Sequence, residues 1–383
     1  MANVLSNLAA DIYKAADTVG REAVGFIPAV TINGGSEQAA QGDTVRSFFT
    51  RQATVNTSAT PSMTIPEGDD QTVDNKTLQV TQIASVKIPW TGEDMKHVNN
   101  GSGFETIYGD QIKQAMRGIV NAIEAHVATV ASQGASRAIG TAGTTPFATD
   151  FKAVPQVRQV LFDNGCPVTD GRLSLVINSL AGTNLRSLAQ LQKVNESGND
   201  AMLRQGTLLD LQGFMLKESG QVQVHTAGSG AGYLVNNAAG IAVGGTAVAV
   251  DTGTGTVLAG DVVTFAADSV NKYVVGSTLS GASLSLSAPG ARVAIADNNA
   301  LTVGGSYTAN IALHQSAIEL VMRPLAKPTM GDAAVDDMIV QDPFSGLVFR
   351  ISAYKGYNKA MFDITCLYQA KVWKPEFVAT LMG

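Results

Sequence analysis

Residues 104–132, FETIYGDQIKQAMRGIVNAIEAHVATVAS, carry the clearest helical period in the chain. Ile112, Met116, Ile119, Ile123, Val127 and Val130 recur at three- and four-residue steps, which places them on one face of an α-helix. At 1.5 Å per residue the predicted helix is about 43 Å long. An ordinary domain of this size needs nothing so long, and Gly109 and Gly118 suggest a bend.

Upstream, Val45 to Val55 and Leu78 to Ile88 read as two strands. In the second, Leu78, Val80, Ala84, Val86 and Ile88 fall on one face and Thr77, Gln79, Thr81, Ser85 and Lys87 on the other. The polar stretch between them, TSATPSMTIPEGDDQTVDN, predicts a long hairpin projecting from the body. An isolated two-stranded hairpin is marginal in water, so it should lie on another domain or another subunit. Leu5, Leu8, Ile12, Ala16 and Val19 predict a short amphipathic helix over residues 4–20 that needs a partner surface.

Downstream, a second helix runs from the cap signal Thr149-Asp150 to the stop Asp163-Asn164-Gly165. Strand LSLVI (173–177) leads to a helix spaced by Leu185, Leu188 and Leu191, then to strand-like GTLLDLQGFMLKES. Composition shifts sharply over residues 226–310, where the charged side chains are Asp251, Asp261, Asp268, Lys272, Arg292 and Asp297. Short runs YLV, AVAV, DVVTF, KYVV, SLSLS and RVAIA recur there between Gly, Asn and Asp, the pattern of a small all-β barrel or sandwich. Beyond it IALHQSAIELVMRPL reads as mixed helix and strand, and LVFRISAYKGY with AMFDITCLYQAKVW as a strand pair. The body is therefore α+β, interrupted by an all-β module.

Composition narrows the function. The 383 residues are 45% hydrophobic, ample for two or three sub-domains. A net charge of -6 supplies no sequence-wide basic field for gripping nucleic acid. Charged residues make up 15%, against about 25% in an average soluble domain, which predicts a surface largely covered by neighbours. Cys166 and Cys366 form no cysteine framework and read as two reduced thiols. The N-terminus reads as no secretory signal, and the longest uncharged run, Ser219 to Val250, is too rich in Gly, Thr, Asn and Gln to cross a membrane.

A search for chemistry predicts no catalytic, cofactor-binding or metal residues. His97, His126, His225 and His314 are scattered without HxxxH or CxxC spacing, and His126 reads as an interface or edge residue. Ser36, Ser102 and Ser229 lack the flanking glycines of a GxSxG elbow, and the absence of any Gly-Lys pair excludes a P-loop. AGSGAG (227–232) and TGTGT (252–256) read as turns. Glu67, Asp69, Asp70 and Asp74 read as a solvated charge run at the hairpin tip, lacking the ligand spacing of a calcium loop. Arg46 and Arg51 around Phe48 and Phe49 are a weak footprint for nucleic acid and better suited to carboxylates across a subunit contact. Cys166 reads as a small buried filler.

The order of these parts resembles the coat-protein fold shared by tailed bacteriophages and herpesviruses. The residues that carry the resemblance are GDTVRSFFTR (42–51), AGDVVTFA (259–266), IALHQSAIELVMRPL (311–325) and the C-terminal FRISAYKGYNKAMFDITCLYQAKVWKPEFVATLMG. With its inserted β module the chain is most similar to coat proteins of short-tailed Salmonella-type phages. The resemblance implies the tailed-phage major capsid protein fold: N-arm, extended loop, peripheral domain with a long spine helix, and axial domain, with an inserted small all-β barrel domain. It divides the chain into an arm (1–44), extended hairpin loop with peripheral strands (45–100), and peripheral domain with the spine helix (101–165). The first axial part (166–222), inserted domain (223–310), second axial part (311–340) and peripheral C-terminal strands (341–383) follow.

The implied activity is self-assembly into pentamers and hexamers of an icosahedral head, in the host bacterial cytoplasm, with no cofactor and no membrane. The implied partners are copies of itself, a scaffolding protein, a portal protein at one vertex, and double-stranded DNA enclosed without sequence-specific binding. Some relatives weld loop lysines to a neighbour's asparagine; Lys76 and Lys87 lie in the hairpin region, but the welding relatives lack the inserted domain, which argues against welding here. A phage tail-tube, decoration or surface β-rich protein is the alternative, and the helical period at 104–132 counts against it. An enzyme with a site assembled from distant residues has no motif to name it.

Overall fold

The computed structural model describes residues 24–50, 61, 63–65, 73–99, 104–193, 206, 208, 210–341 and 347–383. The predicted N-terminal helix, most of the segment between the hairpin strands and the acidic residues Glu67, Asp69 and Asp70 lie outside the described residues. Among the described residues the chain is rich in strands, with few helices.

The long helix is present as Phe104–Gln133, 30 residues and about 45 Å. Its stripe Ile119, Ile123, Val127 and Ala131 packs with Ile88 and Trp90 of the Gln82–Thr91 strand and with Ile364 and Cys366 of the Lys359–Val372 strand. The two strands pair antiparallel from Thr91↔Lys359 to Gln82↔Tyr368. The predicted C-terminal pair closes the other side, with Val348–Gly356 against Lys359–Val372. Ala334–Gln341 forms one edge of this sheet and Thr31–Gly34 the other, the latter running parallel to Ile318–Arg323.

The upstream strands are rearranged relative to the sequence reading. Thr44–Thr50 pairs with Val73–Gln79, so only Leu78 and Gln79 of the predicted second strand lie in the hairpin. The predicted second strand is broken after Gln79: its first part closes the hairpin and its remainder, Gln82–Thr91, joins the main sheet. The period-two alternation survives the break, since Leu78 and Val80 pack with Val321 and Leu367 while Ala84, Val86 and Ile88 pack toward the long helix. Which partner a strand takes is set by distant residues, so alternation alone could not locate the break.

A second sheet carries Phe214–Glu218, Leu173–Ile177, Tyr307–His314, Val378–Met382 and Arg137–Gly140 in that order. Its three central strands are buried on both faces, and alternation assigns the residues to two cores. Val176, Ile311, Leu313, Val378 and Met382 face the long-helix core. Leu173, Leu175, Ile177, Ala312, Ala379 and Leu381 face a second core with Val154, Val157 and Leu161 of the Ala153–Asp163 helix. That helix ends where expected, at Asn164 and the left-handed Gly165 (φ 82°). The single Leu-spaced helix is two, Ser179–Ser187 and Ala189–Gln192, because Leu188 between them is extended. IALHQSAIELVM contains no α-helix: Tyr307–His314 and Ile318–Arg323 are strands joined by a 3-10 turn, Gln315–Ala317.

In the Gly-rich region six antiparallel strands close a ring. Tyr233–Val235 pairs with Ala247–Asp251, then Ser283–Leu286, Asp268–Ser280, Val262–Phe265 and Ala300–Val303, which returns to Tyr233–Val235. Val235, Val248, Val263, Phe265, Tyr273, Val275, Leu284 and Leu301 fill this barrel as a core of its own. SLSLS alternates as read, with Leu284 and Leu286 inside. RVAIA is not a strand; Ile295 makes one isolated bridge to Ile241.

Candidate assembly elements

The four histidines sit on four different elements. His97 is exposed on the Gly92–Asn99 helix. His126 is half-buried on the long helix, its ring edge-on to Tyr368 at 5.5 Å, and burial pushes its pKa down. Among the described residues no group of three His, Cys, Asp or Glu side chains converges on a possible metal position, and no helix is long and apolar enough to cross a membrane. Cys166 and Cys366 are free and buried in different cores, and burial pushes both thiols up to about 12. Arg46 is exposed on the hairpin, whereas Arg51 lies outside the described residues.

The hairpin is rooted firmly and otherwise forms its own two-stranded sheet. Gly42 N donates to Val80 O at 2.8 Å and Val80 N to Asp43 O at 2.9 Å, with Val80 fully buried at the junction. Lys76 places its ammonium 5.2 Å from the Trp373 ring, and Lys371 lies 4.4 Å from the same ring. Burial and the neighbouring Lys374 push the Lys76 pKa down. Trp373 Nε1 donates to Glu319 at 2.7 Å, so the hairpin root rests on an indole fixed to the main sheet.

The barrel joins the body through a neck of two strands, Val224–His225 against Tyr307–Thr308. Asp261 of the barrel is fully buried there; it faces His225 Nε2 at 2.7 Å and accepts from Leu258 N at 2.7 Å and Gly228 N at 3.1 Å. Tyr307 OH donates to Gly260 O at 2.7 Å. The two Gly-rich turns meet at this neck, with Gly230 N donating to Thr256 O at 2.8 Å. A Cβ at Gly228 would lie 2.2 Å from Thr256 O, so only glycine allows the approach. The barrel also continues the body sheet: Lys272↔Ala138 and Tyr273↔Arg137 pair, and Arg137 reaches Asn271 at 3.0 Å and Asn164 at 2.9 Å.

The edge hairpin Ala334–Gln341/Val348–Gly356 is stiffened by a charge cluster. Buried Arg350 donates to Asp337 at 2.7 Å, Ser352 Oγ donates to the same carboxylate at 2.8 Å, and Lys327 pairs with it from the other side. Tyr354 OH donates to Asp332 at 2.6 Å, which holds that carboxyl below the ordinary value. Outside this cluster the edge strand presents Val335, Met338 and Ile339 to solvent, with Met330 just before it. Met63 and Ile65, between the strands of the first hairpin, are exposed as well.

Sequence reasoning missed the buried anchor at Glu124. Its carboxylate, at the start of the last third of the long helix, accepts from the backbone N–H groups of Gly25 and Phe26 at 2.6 Å and Ile27 at 2.9 Å, and from Ser219 Oγ at 2.8 Å. Its signal was a lone acid beside the apolar stripe, next to Ile123. Asp261 was equally unremarked, although an acid between Gly260 and Val262 in an almost uncharged segment was its trace.

No protein-family model and no curated protein matches the sequence. Among solved structures, one from Mycobacterium phage Che8 aligns over 100% of this chain and 98% of its own at 15% identity, with a TM-score of 0.50. The capsid structure of the cyanophage P-SCSP1u aligns over 100% of this chain and 94% of its own at 12% identity, with a TM-score of 0.54. From the long helix to the closing strands, the chain has the fold seen in the cyanophage capsid.

Proposed function

We propose that this chain is the major capsid protein of a tailed bacteriophage, a virion component whose activity is self-assembly around double-stranded DNA. The observation that carries the proposal is full-length agreement with a phage capsid structure, both chains being covered almost end to end. In this reading the long helix is the spine, the Thr44–Thr50/Val73–Gln79 hairpin is the base of the extended loop that overlaps a neighbour, and the barrel is an inserted domain decorating the outside. Copies join as pentamers and hexamers, with a scaffolding protein during assembly in the host cytoplasm and a portal at one vertex.

The surface supports this use. Exposed apolar side chains sit on an unpaired sheet edge and beyond the hairpin root, where a soluble monomer usually carries charge or proline. Modest contacts repeated around a closed lattice give stability by multivalency without an active site. The test is sedimentation of the full chain coexpressed with its candidate scaffolding protein. A fast, narrow peak carrying the chain is expected; material that stays at monomer position with the scaffold present would overturn the proposal.

A further inference from the structure

A nucleophile, a base and a carboxylate meet where the Tyr307–His314 strand ends. His314 closes the Tyr307–His314 strand with 4% of its side chain exposed, Asp170 lies in the loop before Leu173, and Ser316 is exposed on the 3-10 turn. Ser316 Oγ lies 2.8 Å from His314 Nδ1, and His314 Nε2 lies 2.8 Å from Asp170 Oδ2. The backbone fixes the proton positions. Ser316 N donates to His314 Nδ1 at 3.2 Å, so Nδ1 is unprotonated and the ring proton is on Nε2, facing Asp170. The Ser316 hydroxyl shares the single lone pair of that nitrogen with the backbone N–H, as the second and shorter of two donors.

The parts are held in place from several sides. Arg172 N donates to the other Asp170 oxygen at 3.1 Å, Gln315 N donates to Arg172 O at 3.1 Å, and the Phe377 ring stands edge-on to His314 at 6.0 Å. A hydroxyl that donates to an imidazole, itself oriented by a carboxylate, is the arrangement that activates serine for attack, here through Nδ1 rather than Nε2. We propose that Ser316 is an activated nucleophile and a site of covalent acylation or phosphonylation by electrophiles that carry their own leaving group.

With a fluorophosphonate the Oγ–P bond forms, the P–F bond breaks and fluoride leaves. The hydroxyl proton passes to Nδ1, and the resulting imidazolium is stabilised by Asp170. Because Ser316 is exposed, the reagent reaches it without opening the fold.

The test treats the purified full chain with a fluorophosphonate probe and maps adducts by mass spectrometry. The expected result is labelling at Ser316 at least about tenfold faster than at the exposed Ser187 and Ser283, lost in Ser316→Ala. Asp170→Asn, at a partly exposed position, should slow labelling at least about tenfold while leaving the melting temperature within about 2 °C. Labelling at Ser316 no faster than at the control serines, or unchanged in Asp170→Asn, would overturn the proposal.

Discussion

Glu124 Oε1 lies 2.6 Å from the backbone nitrogen of Phe26, a contact between a buried helix side chain and a segment 98 residues earlier. Because Gly25, Ile27 and Ser219 donate to the same carboxylate, this one group fixes the start of the described chain, the long helix and the Phe214–Glu218 region relative to one another. Glu124→Ala leaves three buried N–H groups without a partner and should cost about 3–5 kcal/mol. Glu124→Gln keeps one oxygen toward Gly25 and Phe26 but turns an amide toward Ile27, and should cost less, about 1–3 kcal/mol. Urea midpoints measure both; an alanine variant within about 0.5 kcal/mol of wild type would contradict the role.

At the barrel neck, Asp261→Ala removes the acceptor of His225, Gly228 and Leu258 at a fully buried position. The expected loss is about 3 kcal/mol, read from denaturation, with amide exchange rising first around residues 224–230 and 256–261. Exchange that rises uniformly over the body would instead place the contact outside the neck.

Glycine substitutions separate close approach from open space. Gly228→Ala drives a Cβ to 2.2 Å from Thr256 O, whereas nothing lies within 4 Å of a Cβ at Gly92. The first should destabilise by about 2 kcal/mol or more and the second should fall within about 0.5 kcal/mol of wild type. Thermal melts of the two variants decide it.

Acid response has two opposed contributors in the main sheet. Burial pulls the Asp337 carboxyl upward, but hydrogen bonds from Lys327, Arg350 and Ser352 together hold it below the ordinary value. Its stabilisation is therefore present above the unfolded-state value and is lost as pH falls through the folded one. Burial pushes Asp363 the other way, and its Oδ1 has no hydrogen-bond partner. Its ionisation opposes folding as pH rises through the raised value. Asp337→Asn should thus lower stability at pH 7 and have little effect near pH 3, while Asp363→Asn should raise stability at pH 7. Denaturation midpoints at the two pH values test the signs.

The thiols give a simpler check. Both cysteines are buried with thiols pushed up to about 12, so a maleimide should leave them unmodified in the native chain. Both should react on denaturation. Fast native labelling at either position would show that its core is not packed as described.

What was legible in the sequence followed local periodicity. The long helix, the Ala153–Asp163 helix, LSLVI and the C-terminal strand pair show 3.6- or 2-residue patterns that tertiary contacts reinforce. What failed depended on distant partners. The strand through Leu78 to Ile88 keeps one apolar face yet divides between two sheets, and no residue near Val80 announces that. RVAIA has a strand's composition but makes only the Ile295 bridge. IALHQSAIELVM mixes apolar spacings that fit helix and strand alike, and burial on both sheet faces decided for strand. Glu124 and Asp261 were hard to read because most of their donors are backbone groups and their side-chain partners, Ser219 and His225, are distant in sequence.

The measurement that tests the central claim most directly is cryo-electron microscopy of particles formed by this chain with the proposed scaffolding partner. The account predicts closed shells of uniform diameter, with the long helix and the Thr44–Thr50/Val73–Gln79 hairpin at subunit boundaries and the barrel on the outer surface. Open tubes, or a hairpin buried wholly within its own subunit, would contradict it.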